Sequence, residues 1–487
     1  MPAHKHYIIT WGNNILTIEG PLHSGLQQLL KYEQKYLEPR SDKPWIRTTK
    51  KRKQAIYERE DNPNGKGCLY TTFQGMLDQV VATLVTSGCS FNIVDRRVQL
   101  PPPKFERMHG MRFSQEPMVR TALSANRSGL VVAVTRYGKT AMIANTINAY
   151  PGIKTVVIAP GIDLLPQLED ALRYYCPDRE VKGIYTGSKN SSQSDDVTVC
   201  SVDSISKLDK ETTRLVLVDE PHAVATGPRS AELTGFSAAR FIGYGATVSG
   251  RWDGSDIMIT GLFGPKLVEK TYLEAVEEGA IAPIHVKFIK VPFEHWQVYQ
   301  RDAAYRNLMS SEAYLKAVSE VCNTYIAKDW QTLIFISNEK TANVVANVIE
   351  DSHIAMDKLM KNKKERHALF QALKDGKINR CVCSSIYSTG VTIDGIRVAL
   401  NCAIGAAGIM SIQKPGRLAE LKEGKAAGYM IDFLFECQTP PERLENIPYQ
   451  KKAWSTVVND CWARYHAYKE IGYEVEILNS AEELELI

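Results

Sequence analysis

Two short strings concentrate the chemistry of this sequence. Ala133-Val134-Thr135-Arg136-Tyr137-Gly138-Lys139-Thr140 has the spacing of a loop whose backbone N–H groups wrap phosphates at a helix N-terminus. Lys139 is placed to reach the β- and γ-phosphates and Thr140 to hold Mg²⁺. Downstream, Leu215-Val216-Leu217-Val218-Asp219-Glu220-Pro221-His222 sets four apolar residues ahead of two carboxylates. A buried parallel strand delivers such carboxylates at its C-terminal edge, where open α/β sheets bind ligands. Asp219 would complete the Mg²⁺ shell and Glu220 would polarise an attacking water. Together the strings imply nucleoside triphosphate hydrolysis.

These residues need strands that feed loops and helices that follow them. From about residue 106 apolar strings alternate with helical periodicity, the pattern of βαβ units and a parallel sheet. Strands are predicted at Gly129–Val134, Thr155–Ala159, Val197–Ser201, Leu215–Val218 and Phe241–Tyr244. A helix-like run, Ala141 to Asn148, follows the phosphate loop. A second alternating series is predicted at Thr332–Ile336, Arg380–Cys383, Ala399–Cys402 and Gly428–Asp432, with Ile281 to Pro292 carrying the chain between the two sheets. Before this, Tyr7–Trp11 and Phe91–Val94 read as strands around a helical Phe73 to Thr86, and Pro101-Pro102-Pro103 marks a linker. Lys452 to Lys469 reads as helical.

Bulk properties exclude several classes. The 487 residues exceed one ordinary core, so two or three domains are expected. No apolar run approaches the roughly 18 residues of a membrane span, and Met1 to Tyr7 lacks the apolar stretch of a signal peptide. The 10 cysteines are scattered, and Cys381 and Cys383 have no second pair, so neither zinc nor disulfides are expected. Net charge is only +4, but Arg47, Lys50, Lys51, Arg52 and Lys53 form one basic cluster, and Lys358, Lys361, Lys363, Lys364 and Arg366 another. Each reads either as solvated surface or as a phosphate contact.

The order of motifs over roughly residues 110 to 435 resembles superfamily 2 helicases and translocases. Arg112-Phe113-Ser114-Gln115 resembles the adenine-reading element, which implies that Gln115, with Arg112, recognises the base of ATP. Ala159-Pro160 with Leu164, Leu165 and Gln167 resembles motif Ia, implying nucleic-acid contacts at Pro160 and Gln167, and Ser201 is placed in the same group. Asp219-Glu220-Pro221-His222 has the family's Asp-Glu-x-His form. Gly245-Ala246-Thr247 resembles motif III, and its continuation through Arg251-Trp252-Asp253-Gly254 is similar to the string of the XPB and UvsW branch. Arg251 and Trp252 would face nucleic acid, although Trp252 reads equally as a partly buried interface aromatic. Leu333 to Ser337 resembles motif IV, with Ser337 on the backbone. Ser384-Ser385 through Ser388-Thr389-Gly390-Val391-Thr392-Ile393 resembles motif V, with Ser385 on nucleic acid and Gly390 on nucleotide. Gln413-Lys414-Pro415-Gly416-Arg417 resembles motif VI, with Gln413 and Arg417 catalytic and Arg417 reaching the γ-phosphate.

The resemblance implies an α/β protein of two tandem RecA-like parallel-sheet lobes with a small N-terminal α+β accessory domain. The expected divisions are 1–105 (accessory, DNA-binding), 106–285, 286–440, and a helical extension over 441–487. ATP and Mg²⁺ are the implied cofactors. The implied partner is DNA that is branched, forked or duplex with single-stranded tails. No membrane is involved, and a monomer in the cytoplasm, phage-encoded, is the expectation. Two residues depart from the family pattern: Arg136 stands where glycine is usual, and Glu420 where motif VI usually ends in a second arginine. Loss of an arginine finger costs on the order of 10³-fold in rate, so a slow ATPase is expected. An RNA helicase, an ATP-binding scaffold that scarcely hydrolyses, and the motor subunit of a defence complex are the alternatives.

Overall fold

The strings of β-branched and apolar residues become two seven-stranded, wholly parallel sheets. The computed structural model describes residues 5–39, 47–61, 67–161, 165–185, 193–248, 253–294, 301–356, 363–384, 395–403, 414–444 and 453–486. The chain divides into two compact units: residues 1–133 with 138–270, and residues 134–137 with 271–487.

In the first unit the parallel sheet runs in the order Val181–Ile184, Val197–Ser201, Thr155–Ala159, Leu215–Asp219, Arg240–Gly245, Gly129–Ala133, Lys266–Lys270. Its middle strands are buried along nearly their whole length, as strands covered on both faces must be. A five-stranded mixed sheet precedes it, in the order Tyr57–Asp61, Cys68–Phe73, Ile15–Gly20, His6–Trp11, Ser90–Asp95. Its apolar residues do not form a separate core. Tyr7, Ile9, Leu26 and Met76 belong to one continuous apolar cluster with Phe241, Met258, Ile259 and Phe263 of the parallel-sheet lobe. The seam is tight: a Cβ on Gly75 would lie 2.0 Å from the Thr260 carbonyl oxygen. Nearby, Gln74 Nε2 donates to the Leu262 carbonyl at 3.0 Å.

Lys31–Pro39 and Arg47–Ala55 pair antiparallel as a two-stranded arm that joins neither sheet. The basic cluster over 47–53 is therefore one strand of this arm. Nothing in its Lys- and Arg-rich composition predicts a strand, since such residues rank low in β-propensity.

The second unit's sheet runs Ser352–Ala355, Arg380–Cys383, Thr332–Ile336, Val398–Cys402, Gly428–Cys437, Ile284–Phe293, Glu474–Leu478. This corrects the reading of Ile281 to Pro292 as a connection between sheets. Ile284–Phe293 is a ten-residue strand, paired in parallel with Gly428–Cys437 on one side and Glu474–Leu478 on the other. The tail likewise contributes more than a helix. After Ala453–Ile471 it adds the edge strand Glu474–Leu478. The architecture is that of tandem RecA-like lobes preceded by a small mixed-sheet region. Of the second basic cluster, Lys358 and Lys361 lie outside the described residues, and Lys363, Lys364 and Arg366 fall in the helix Lys363–Lys374.

Candidate active site

The phosphate loop links the buried strand Gly129–Ala133 to the helix Lys139–Ala149. Gly138 caps that helix at φ +93°, a left-handed conformation that costs glycine little. A second constraint acts at the same residue, because a Cβ there would sit 2.4 Å from Gln115 Nε2. Gln115 is buried at the start of the helix Gln115–Ser124, and its Oε1 accepts from the Arg112 backbone N–H at 2.8 Å. Gly138 thus lets the expected adenine-reading carboxamide pack directly on the phosphate loop.

The carboxylates arrive on the neighbouring side of the sheet. Leu215–Asp219 lies between Thr155–Ala159 and Arg240–Gly245, so Asp219 and Glu220 emerge at the C-terminal edge. Glu220 adopts φ +56° and donates its backbone N–H to the Tyr244 carbonyl at 2.8 Å. A non-glycine residue in this region is held by its surroundings at a cost of order 1–3 kcal/mol, a pattern concentrated at functional sites. Its carboxylate stands 3.7 Å from Lys139 Nζ through Oε1 and 3.4 Å from His222 Nδ1 through Oε2. Burial, and then the adjacent Glu220 carboxylate, push the Asp219 carboxyl up to about 7, against the pull of Lys139. Asp219 Oδ1 is buried and meets no hydrogen-bond donor among the described residues. An orphaned carboxylate oxygen beside a second carboxylate fits Mg²⁺, which takes one or two protein oxygens and completes its shell with phosphate and water, and half-buried Thr140, next to Lys139, carries a hydroxyl of the type that would join it.

The Gly245-Ala246-Thr247 segment follows Arg240–Gly245 directly. A Cβ on Gly245 would lie 3.0 Å from Pro221 Cδ, so this segment packs against the turn that carries the carboxylates. Thr247 Oγ1 is buried without a hydrogen-bond partner among the described residues.

The expected nucleic-acid contacts are placed unevenly. Pro160 is half-buried at the end of Thr155–Ala159, and Gln167 is exposed on the helix Leu165–Tyr175. Ser201 is only 1% exposed, and its hydroxyl donates to Ser204 Oγ at 3.0 Å, so it faces into the lobe. In the second unit Ser337 is exposed just beyond Thr332–Ile336. Arg251, Trp252, Ser385, Gly390 and Gln413 lie outside the described residues.

Within the second unit Arg417 is half-buried. The preceding Lys414 is inside the fold, donating to Asn401 Oδ1 at 2.9 Å, and burial pushes its ammonium down to about 8. Asn401 Nδ2 in turn donates to Asp432 Oδ2 at 2.8 Å, and Arg464 of the tail helix clamps both Asp432 oxygens at 2.9 and 2.8 Å. Sequence reading missed this network, although an aspartate closing an apolar string at Asp432 was its one visible sign. It also missed that the two departures meet. Arg136, in the 134–137 segment that groups with this unit, holds φ +73° and lies 3.8 Å from the Glu420 carboxylate. Glu420 Oε2 also accepts from the Gly395 N–H at 3.1 Å.

Comparison with known proteins bears on this arrangement. Residues 108–250 match the family described as "Type III restriction enzyme, res subunit", and residues 315–420 match "Helicase conserved C-terminal domain". A curated relative, helicase 22 of the Sulfolobus islandicus filamentous virus, is 24% identical over 239 residues, which is 45% of this chain and 42% of that protein. The match thus spans less than half the length of that relative. Among solved structures, a fragment of an HsdR subunit of a type I restriction enzyme from Vibrio vulnificus superposes with TM-score 0.54 at 14% identity, covering 78% of this chain and 70% of its own. The DNA-bound Type ISP restriction-modification enzyme LlaBIII gives TM-score 0.54 at 15% identity over 84% of this chain and 35% of its own. At such identities the likeness is one of fold.

Proposed function

We propose that this chain is a superfamily 2 helicase, an ATP-dependent enzyme of nucleic-acid unwinding, and that it acts as a DNA motor that remodels branched or forked duplexes. The observation that carries the motor reading is the meeting of Lys139, Asp219 and Glu220 at one sheet edge, with Asp219 Oδ1 buried and free of donors among the described residues. In this reading Gln115 and Arg112 hold the adenine, while Lys139 and the N–H groups at the start of its helix hold the phosphates. Thr140 and Asp219 hold Mg²⁺, which offsets the charge that builds on the phosphoryl oxygens. Glu220, kept near Lys139 and His222, takes the proton of the attacking water. Arg417, with Gln413, reaches the γ-phosphate.

DNA is preferred over RNA because Gln413 to Glu420 departs from the RNA-helicase pattern Gln-Arg-x-Gly-Arg-x-Gly-Arg, with Lys414 and Glu420 where it has arginines. The strings at 245–254 and 384–393 resemble UvsW-like helicases, which supports strand annealing, unwinding and branch migration in replication, recombination or repair. Pro160, Gln167, Arg251, Trp252, Ser337 and Ser385 would follow the strand, and residues 1–105 would add duplex contacts. We place the protein in the cytoplasm of a virus-infected host, acting as a monomer. No helix among the described residues is long and apolar enough to cross a membrane.

A second reading draws on the restriction-enzyme likeness of residues 108–250. The chain would then be the motor of a defence assembly, and copurification of a nuclease would select it. The direct test of the first reading is strand displacement and fork reversal on labelled DNA with ATP, in which wild type moves strands and Lys139→Ala does not.

A further inference from the structure

The two-stranded arm divides its side chains between two unlike faces. Strand alternation puts Lys31, Glu33, Lys35, Lys51 and Lys53 on one face, where all five are exposed. The other face carries Tyr32, Gln34 and Tyr36, all half-buried. There Arg52 is tied to Gln34 Oε1 at 2.8 Å and lies 5.2 Å over the Tyr36 ring. Tyr32, Gln34 and Arg52 of this face, with Gln54 and Tyr57, line a cleft of about 610 Å³ against Ala225 to Pro228, Ser230 and Ala231 of the parallel-sheet lobe.

The exposed face has four lysines against one carboxylate. Register places Lys35 directly opposite Lys51. The Lys35 N–H points away from its partner strand, donating to the Asp253 carbonyl at 2.9 Å. Lys35 and Lys51 therefore form a non-hydrogen-bonded pair, the kind with the closer Cα atoms, about 4.5 Å apart. Like charges so placed destabilise a sheet, and a lone two-stranded ribbon is marginal to begin with. Glu33 answers only part of the charge: it bonds Lys51 Nζ at 2.8 Å, and Lys35 and Lys53 act on the same carboxylate. The arm does not swing freely. The Asp253 bond and the approach of Gly254, whose Cβ would lie 2.8 Å from the Glu33 carbonyl oxygen, fix its edge to the segment following Arg251-Trp252.

We infer that the face formed by Lys31, Lys35, Lys51 and Lys53 is a docking surface for the phosphodiester backbone of DNA, read without regard to sequence. This rests on the DNA-motor reading and gives it a surface. Lys51 and Lys53, two residues apart on one strand, are spaced about 6.8 Å, and Lys31 and Lys35, four apart on the other, about twice that, a spread of charges suited to phosphates along a strand. The arm's aromatics point to the opposite face, which argues against base stacking on this one.

The test is binding of labelled forked DNA to the full chain at 50–200 mM salt without nucleotide. The K31Q/K35Q/K51Q/K53Q variant is expected to bind at least about tenfold more weakly at 50 mM salt, with a salt slope shallower by about 3–4, near 0.9 for each phosphate no longer neutralised. Glu33→Gln is expected to bind more tightly than wild type and to steepen the slope. It is a single exposed change, so its result stands even should the fourfold variant fail to fold. Wild-type affinity and slope in both variants would overturn the inference while leaving the motor reading intact, provided ATP hydrolysis by wild type still responds to DNA. Failure of wild type to bind any DNA would remove both.

Discussion

Lys139, Asp219 and Glu220 set the first expectations at the scale of single residues. Lys139→Ala removes the cation that stands beside Glu220 and that the proposed reading sets on the phosphates, and ATP turnover should fall by at least about 10³-fold, on the order of 4 kcal/mol in barrier height. Glu220→Gln keeps the volume but cannot accept the water's proton. It should lose about 10²–10⁴-fold in kcat while ATP still binds, as titration with a fluorescent nucleotide would show. Arg136 and Glu420 call for a different experiment. Glu420→Arg alone would set a second guanidinium against Arg136, beside Lys425, whose ammonium burial already pushes down to about 8. We expect that variant to be slower by about tenfold, ~1.4 kcal/mol, and addition of Arg136→Gly to recover the loss. A faster single variant would show that the missing second arginine limits turnover. Lys139, Asp219 and Glu220 were legible because each lies in one contiguous string. The Arg136–Glu420 pair was not, because only the fold brings two distant departures together.

Elements were legible where strands are buried on both faces. Such strands read as unbroken apolar strings, as at Thr155–Ala159 and Thr332–Ile336. Two kinds of exposed strand were missed: Glu474–Leu478, whose Glu-Val-Glu-Ile alternation is too short to stand out, and Arg47–Ala55, whose consecutive cations carry no alternation at all. The tail helix Ala453–Ile471 is anchored through Arg464, which clamps the fully buried Asp432. Arg464→Met leaves that buried carboxylate without its ion-pair partner and should destabilise the second unit by about 3–5 kcal/mol, seen as a lower denaturant midpoint. Lys414 gives the pH counterpart. Its folded value of about 8 lies below the unfolded value of about 10.4. Below about pH 8 the lysine is charged in both states and its burial penalty is complete. Between about 8 and 10.4 the unfolded chain binds more protons, so stability gains as pH rises. Relative to Lys414→Met, wild type should therefore gain up to a few kcal/mol between pH 7 and 10.5 in chemical denaturation. A difference that stays flat with pH would refute the assignment.

The first unit is built as a whole in a way the sequence concealed. Pro101-Pro102-Pro103 read as a linker, and the mixed sheet before it and the parallel sheet after it close one apolar cluster. A contiguous core between segments far apart in sequence leaves no local pattern to find. A chain starting near residue 106 would expose Met258, Ile259 and Leu262, at about 1.5–3 kcal/mol each. It should aggregate or lose its cooperative thermal transition. A soluble, cooperatively folding truncation would contradict the shared core. The central claim, an ATP-driven motor on DNA, is tested most directly by ATP hydrolysis by the purified chain. It would be measured alone and with single-stranded, duplex, forked and four-way DNA and with matched RNA, beside Lys139→Ala. The account predicts turnover stimulated most by forked or four-way DNA and abolished in the variant. Stimulation by RNA alone, or turnover indifferent to every nucleic acid, would contradict it.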